Sequence, residues 1–167
     1  MRRVLLFVFI TLSLVSFLPA ASFGYSLAPV GQVSGHGAYG GLTASFIMSF
    51  DRNHAGDIEV AADFTPYGTF FESAKVQIST PMLLLTDHVF NALFPNPVVW
   101  SPRIGTGFQY RMGNEFNILV SISPFAFHDW SYSFEFFSPY IVKSLVDNDW
   151  GWGMYIMKFS CFFGGGR

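Results

Sequence analysis

The chain has 167 residues, enough for one ordinary domain, with 51% hydrophobic and 19% aromatic residues but only 12% charged ones. Nine basic and eleven acidic residues give a formal charge of −2, which leaves no basic face of the kind nucleic acid requires. The single cysteine, Cys161, excludes an intrachain disulfide framework, and a soluble exported domain would carry more charge than this.

Arg2 and Arg3 precede an apolar run over 4–18, which Pro19 and a group of small residues end. That is the layout of a secretory signal peptide. Ser22 and Gly24 suit the small positions before a cut, so the expected division is a signal at 1–24 and a barrel domain at 25–167; a cut after Ser22 is the second choice. No cysteine stands there for lipid attachment. The signal holds two of the nine basic residues and none of the acidic ones, which leaves 7 against 11 in the remainder, a charge of −4. No later stretch approaches the ~20 apolar residues of a spanning helix.

Residues 25–41 are rich in glycine and weakly patterned, suiting a flexible arm or a poor first strand. Alternation starts at Leu42 and runs through Ala44, Phe46, Met48 and Phe50. After the polar loop 51–56, Ile58, Val60, Ala62 and Phe64 alternate with Asp57, Glu59, Ala61 and Asp63. Successive side chains on a strand point to opposite faces, so each stretch predicts a strand with one apolar and one polar face. A further strand is predicted over 69–79. Segment 80–97 differs: Thr80-Pro81 reads as a cap, Leu84, Leu85, His88, Val89 and Leu93 fall at helical spacing, and Pro95 and Pro97 stop it. This predicts a short helix around 81–93. Strands then follow over 98–111, 115–127, from Trp130 to about Tyr140, and over 152–163, with turns at 112–114, His128-Asp129 and 147–149.

High hydrophobicity without a spanning helix leaves a closed β-barrel as the membrane solution, because strand pairing then satisfies the backbone in lipid. The expected fold is all-β, an antiparallel up-and-down transmembrane barrel of about eight strands. Seven strands are assigned; the eighth is either 26–37, which is preferred because glycines tolerate a barrel corner, or 82–94. Bacterial single-chain barrels have an even number.

The polar parity carries Glu59, Asp63, Lys75, Arg103, Arg111, Glu135 and Lys158. Inside a narrow barrel unpaired charges are costly, so these predict a paired interior network. It reads either as a plug or as the lining of a small pore or polar pocket. Aromatics cluster near strand ends (Phe50, Phe64, Tyr67, Trp100, Tyr110, Phe116, Trp130, Tyr140, Trp150, Trp152), as interfacial girdles require.

No catalytic residue and no metal ligand is assigned. His128, Ser131 and Glu135 lie close in sequence, but His128 stands on the other parity, and proximity alone does not make a triad. Asp87 and His88 diverge on a helix, and His36 and His54 have no partner at ligand spacing. HExxH, paired CxxC, EF-hand and phosphate-loop patterns are all missing, so no cofactor is expected.

The last strand has Gly153, Tyr155, Met157, Phe159 and Phe163 on one parity. This resembles the C-terminal assembly signal of small bacterial outer-membrane barrel proteins, departing from it in the overhang Gly164-Gly165-Gly166-Arg167. The resemblance is architectural and spans 42–163. It implies outer-membrane lipid and the barrel-assembly machinery as partners, and both termini in the periplasm. The expected role is non-enzymatic: envelope structure, surface interaction or adhesion through loops 51–56 and 144–151 with an unknown surface or host partner, or a narrow pore. The rival readings are an outer-membrane lipid-modifying hydrolase and a soluble periplasmic sandwich or lipocalin-like binder.

Overall fold

A computed structural model describes residues 22–35, 37–50, 56–67, 70–82, 88–90, 98–129 and 131–163. They form β1 (Ser22–Ser34), β2 (Gly37–Ser49), β3 (Asp57–Phe64), β4 (Phe71–Pro81), β5 (His88–Phe90), β6 (Val98–Trp100), β7 (Arg103–Arg111), β8 (Glu115–Ser123), β9 (Phe125–His128), β10 (Tyr132–Ser144) and β11 (Trp150–Phe163). Every pairing is antiparallel, and each long strand lies beside its neighbour in sequence. β11 pairs with β10 on one side and with β1 on the other. The ring β1-β2-β3-β4-β7-β8-β10-β11 therefore closes with eight members, which removes every edge from it.

The eighth strand is β1. It runs from Ser22, earlier than the 26–37 expected, and pairs through its length with β2. Small residues let it sit between two walls: Gly24, Ala28 and Gly31 alternate with larger neighbours, and the register against β11 shifts once, between Leu27 and Val30, beside Pro29. A proline has no N–H for the ladder, so it belongs at such an irregularity.

The helix expected around 81–93 is not what forms in the described part of that segment. Pro81 closes β4, and His88–Phe90 is a strand paired with Val98–Trp100; the remainder lies outside the described residues. Strand pairing won because the β4–β7 hairpin continues past Pro102, with β6 in turn pairing β9. Ser101 N donates to Ala126 O at 2.9 Å across this extension. The long strands expected over 98–111 and 115–127 are each broken where a proline stands, at Pro102 and Pro124.

The wall is apolar outside and polar inside. Phe46, Val60, Ile78 and Phe108 are each at least half exposed, whereas Ser49, Asp63, Ser73, Gln109 and Ser160 are fully buried. A sandwich or a lipocalin-like binder would hide its apolar side chains, so this inverted distribution removes both readings. It is the pattern of a barrel whose outer face meets lipid.

A second correction concerns parity. Tyr140, placed above in the aromatic girdle, and Tyr155, placed on one parity with Met157 and Phe163, point inward and are 1% and 7% exposed. Phe137 takes φ = 50°, and around it β10 changes face: Phe134 looks outward, while Ser138, Tyr140 and Val142 look inward. β11 switches at the opposing position, where Ile156 and Met157 are both exposed. β10 and β11 keep one register through this point, and the extra residue of β11 lies against β1, where 156–158 oppose 28–29.

Candidate functional site: a charge-filled barrel interior

The interior is the only place where the described chain gathers chemistry-bearing side chains in number. Six carboxylates face four cations there. β1, β2, β3, β4, β7, β8, β10 and β11 each present every second residue inward, so the groups stack in three layers along the barrel.

The middle layer is built on Asp63, which is fully buried. Lys75 Nζ lies 2.7 Å from its Oδ2. Thr43 Oγ1 donates to Oδ1 at 2.7 Å, Ser73 Oγ donates to Oδ2 at 2.6 Å, and the Tyr39 hydroxyl also donates to Oδ2. Lys75 is held from the other side by aromatic rings. Its Nζ donates to Tyr155 at 3.0 Å and stands 4.7 Å and 4.9 Å from the centroids of Tyr140 and Tyr155. Gln32 Oε1 accepts from Gln109 Nε2 at 2.8 Å and from the Tyr140 hydroxyl at 3.1 Å, tying β1, β7 and β10 together across the lumen.

The layer at the end away from Ser22 and Phe163 centres on Arg111. Its Nε lies 2.7 Å from Glu72, and its guanidinium reaches Glu115 at 3.8 Å and Ser34 Oγ at 2.9 Å. Tyr39 carries the guanidinium against its ring at 5.3 Å. The layer nearest Ser22 and Phe163 holds two pairs. Lys158 Nζ is 2.5 Å from Glu59 and 3.6 Å from Glu135, whose Oε2 accepts from Ser123 Oγ at 2.6 Å. Arg103 lies 2.8 Å from Asp57 and donates to the Ser79 carbonyl at 3.3 Å. The middle layer is thus balanced, and each mouth holds one carboxylate more than it holds cations.

All seven charges named from the sequence point inward and pair. Asp57, Glu72 and Glu115 join them. Asp57 carried a legible signal, since it shares the parity of Glu59 and Asp63. Glu72 and Glu115 sit at strand ends, where alternation is weakest. Burying charges costs several kcal/mol per ion, and the cost is met only if remaining lone pairs are satisfied; Asp63 meets that condition with four donors. Spaces left near Asp57 and Arg103, and near Gln77 and Lys158, are about 10 Å³ each, room for roughly one water.

The remaining candidates disperse. His128 is buried against the Asp57–Arg103 end of the lumen, whereas Ser131 is exposed at the β9–β10 turn, where Asp129 Oδ1 accepts from its backbone N–H. His36 and His54 lie outside the described residues. Among the described residues no three histidine, cysteine or carboxylate side chains gather as a metal site would need. Gly153, Tyr155, Met157, Phe159 and Phe163 do not share one face: the first two point inward and Met157 and Phe163 outward, because of the bulge at Ile156.

No family model matches the chain, and no curated protein matches it significantly. Among solved structures it is similar to the crystal structure of Neisserial surface protein A, with a TM-score of 0.45 and 9% identity over 86% of this chain and 97% of that one.

Proposed function

We propose that the chain is exported through a cleaved signal peptide and inserted by the barrel-assembly machinery. In the outer membrane it acts as a closed, non-enzymatic barrel. Its role is in envelope structure and in surface interaction through the end opposite Ser22 and Phe163. The observation that carries this reading is the filled lumen: four cations and six carboxylates from six of the eight ring strands, tied to β1 and β2 through Ser34, Tyr39 and Thr43, with residual spaces of about 10 Å³. A pathway for solute would have to break these pairs in all three layers. An active site would need reactive groups beside an open volume, and the charged groups here are engaged with one another.

The end opposite Ser22 and Phe163 carries the ends of β1 and β3 with Tyr67, the β7–β8 hairpin 112–114 and the β10–β11 loop 145–149. Tyr67, Leu145 and Val146 are among its most exposed side chains, at 82%, 54% and 64%. Apolar tips on short loops favour a small contact with a partner over an extended one. β2 ends at Ser49 and β3 begins at Asp57 at the other end, beside Ser22 and Phe163.

Planar-bilayer recording of the refolded chain tests the closed lumen. The expected trace shows no discrete openings, for the native chain and for Glu135→Gln alike. Stable unitary steps that change on Glu135→Gln overturn it, and the surplus carboxylate at each mouth makes cation selectivity the signature of such a pore.

A further inference from the structure

Among the described residues, the outer wall has a place where it is not filled. Gly31 of β1 and Gly40 of β2 pair directly across the strands, and Met154 of β11 flanks Gly31 on the other side. The lipid-facing surface is therefore bare at both positions, and Gly31 floors the space beside Ala38. Around it stand Val33, Trp152 and Ile156, which are 43%, 61% and 50% exposed. The result is a groove of about 220 Å³ with an almost wholly apolar lining. An apolar cavity of ~150 Å³ already accepts a benzene-sized guest. The space is not an accident of a tight packing constraint. A Cβ at Gly31 would meet nothing closer than the Tyr39 carbonyl oxygen at 4.0 Å, and one at Gly40 nothing closer than the Val30 carbonyl oxygen at 3.9 Å. Larger side chains would fit at both positions, and one at Gly31 would fill the groove.

We propose that this groove, formed by β1, β2 and β11, is a binding site for a single acyl chain of a membrane phospholipid. The occupant follows from location. The groove is continuous with the apolar wall that meets the bilayer. It begins near the strand ends at Val33 and Trp152, beside Trp150, where aromatic rings mark the interface. It descends past Met154 to Ile156, about 13 Å of strand at the usual rise. Water there would find no polar partners to hold it. An unfilled groove would forfeit the dispersion contacts of its lining. A flexible hydrocarbon chain lying along the strand supplies both the shape and the contact. The inference rests on the barrel spanning a bilayer and goes beyond it by assigning a saturable site rather than an exchanging lipid shell.

The test uses the full refolded chain with Trp100, Trp130 and Trp150 replaced by Phe, leaving Trp152 to report. Phosphatidylcholine bearing a dibrominated stearoyl chain is titrated into detergent micelles, and Trp152 quenching is followed. Saturation at one lipid per barrel is expected. Gly31→Leu with Ala38→Leu fills the groove at open positions and weakens the apparent affinity roughly tenfold or more. Both chains must show heat-modifiable gel migration, so a folding defect is read separately. Quenching that rises linearly with brominated lipid, or that the filled variant leaves unchanged, overturns the proposal. A dimer in sedimentation that the filled variant dissolves overturns it too, in favour of a second copy as occupant. No quenching from brominated bilayers at all would instead refute the transmembrane reading on which it stands.

Discussion

Lys75→Met separates a dry, cross-linked lumen from a wet one. Lys75 is 2% exposed and lies 2.7 Å from Asp63, which is fully buried. Removing the cation leaves Asp63 with three hydroxyl donors, from Tyr39, Thr43 and Ser73. Breaking a buried pair by deleting one partner costs about 3–5 kcal/mol. Hydrogen bonds to a charged group contribute about 1.5–3 kcal/mol each, so the surviving donors keep the loss towards the lower end, about 3 kcal/mol. Asp63→Asn in the same background removes the orphaned charge while keeping the hydroxyl partners. The double variant should recover about half of the loss, so that it costs less than the two single changes added together, as contacting residues do. Denaturant unfolding of the refolded barrel in lipid vesicles, followed by tryptophan emission, measures all four corners of the cycle. If Lys75→Met costs under ~1 kcal/mol and the two changes add, the pair is solvated, the lumen holds mobile water, and the closed-plug reading fails.

Three further outcomes follow from the same geometry. Glycine-to-alanine changes should split by location: Gly107→Ala puts a Cβ 2.0 Å from the Val76 carbonyl oxygen and prevents folding, and Gly153→Ala meets the Tyr140 ring at 2.3 Å and costs about 1–3 kcal/mol. Gly31→Ala meets open space and is neutral or stabilising by roughly 0.5–1 kcal/mol; gel-shift refolding yields rank the three, and equal yields would refute the packing. Mass spectrometry of the mature chain should find a start no later than Phe23, since Phe23 pairs with Met48 and Phe163 and its ring stacks on Phe46 at 5.9 Å; a start at Tyr25 would show that β1 is completed without those pairs. An epitope tag at Asn148, on the end opposite the paired Phe23 and Phe163, should be accessible on intact cells, and a tag that appears only after lysis reverses the orientation.

The outward face was the most readable part of the chain, because a barrel wall is a strict two-residue code. β3 shows why: Ile58, Val60, Ala62 and Phe64 alternate without a fault, and the structure keeps all eight residues in one strand. β1 was hard to see for the opposite reason. Its outward positions include Pro29 and Gly31, whose small or rigid side chains give no hydrophobic beat, and its existence is settled by what the neighbours need: β2 and β11 would otherwise each leave an unpaired edge in lipid. The helix expected around 81–93 rested on spacing that a paired hairpin extension overrides, since His88–Phe90 finds partners in Val98–Trp100.

The interior shows a subtler limit of the code. Parity correctly gathers the charges, yet it places Tyr140 and Tyr155 outside, because a single left-handed residue at Phe137 and its opposite bulge at Ile156 reverse the phase of two strands at once. That reversal brings both tyrosine rings against Lys75 and lets Lys158, four residues after Met154, reach Glu59 across the lumen. Without the phase change, β11 would present Met157 and Phe159 inward and turn Lys158 to lipid, where a charge costs about 2–4 kcal/mol at mid-bilayer. The bulge is therefore what makes the apolar stripe ending at Phe163 and the charge network compatible on one strand. Deleting Ile156 to remove the bulge should expose Lys158 to lipid and abolish heat-modifiable folding, whereas Ile156→Val should leave it intact.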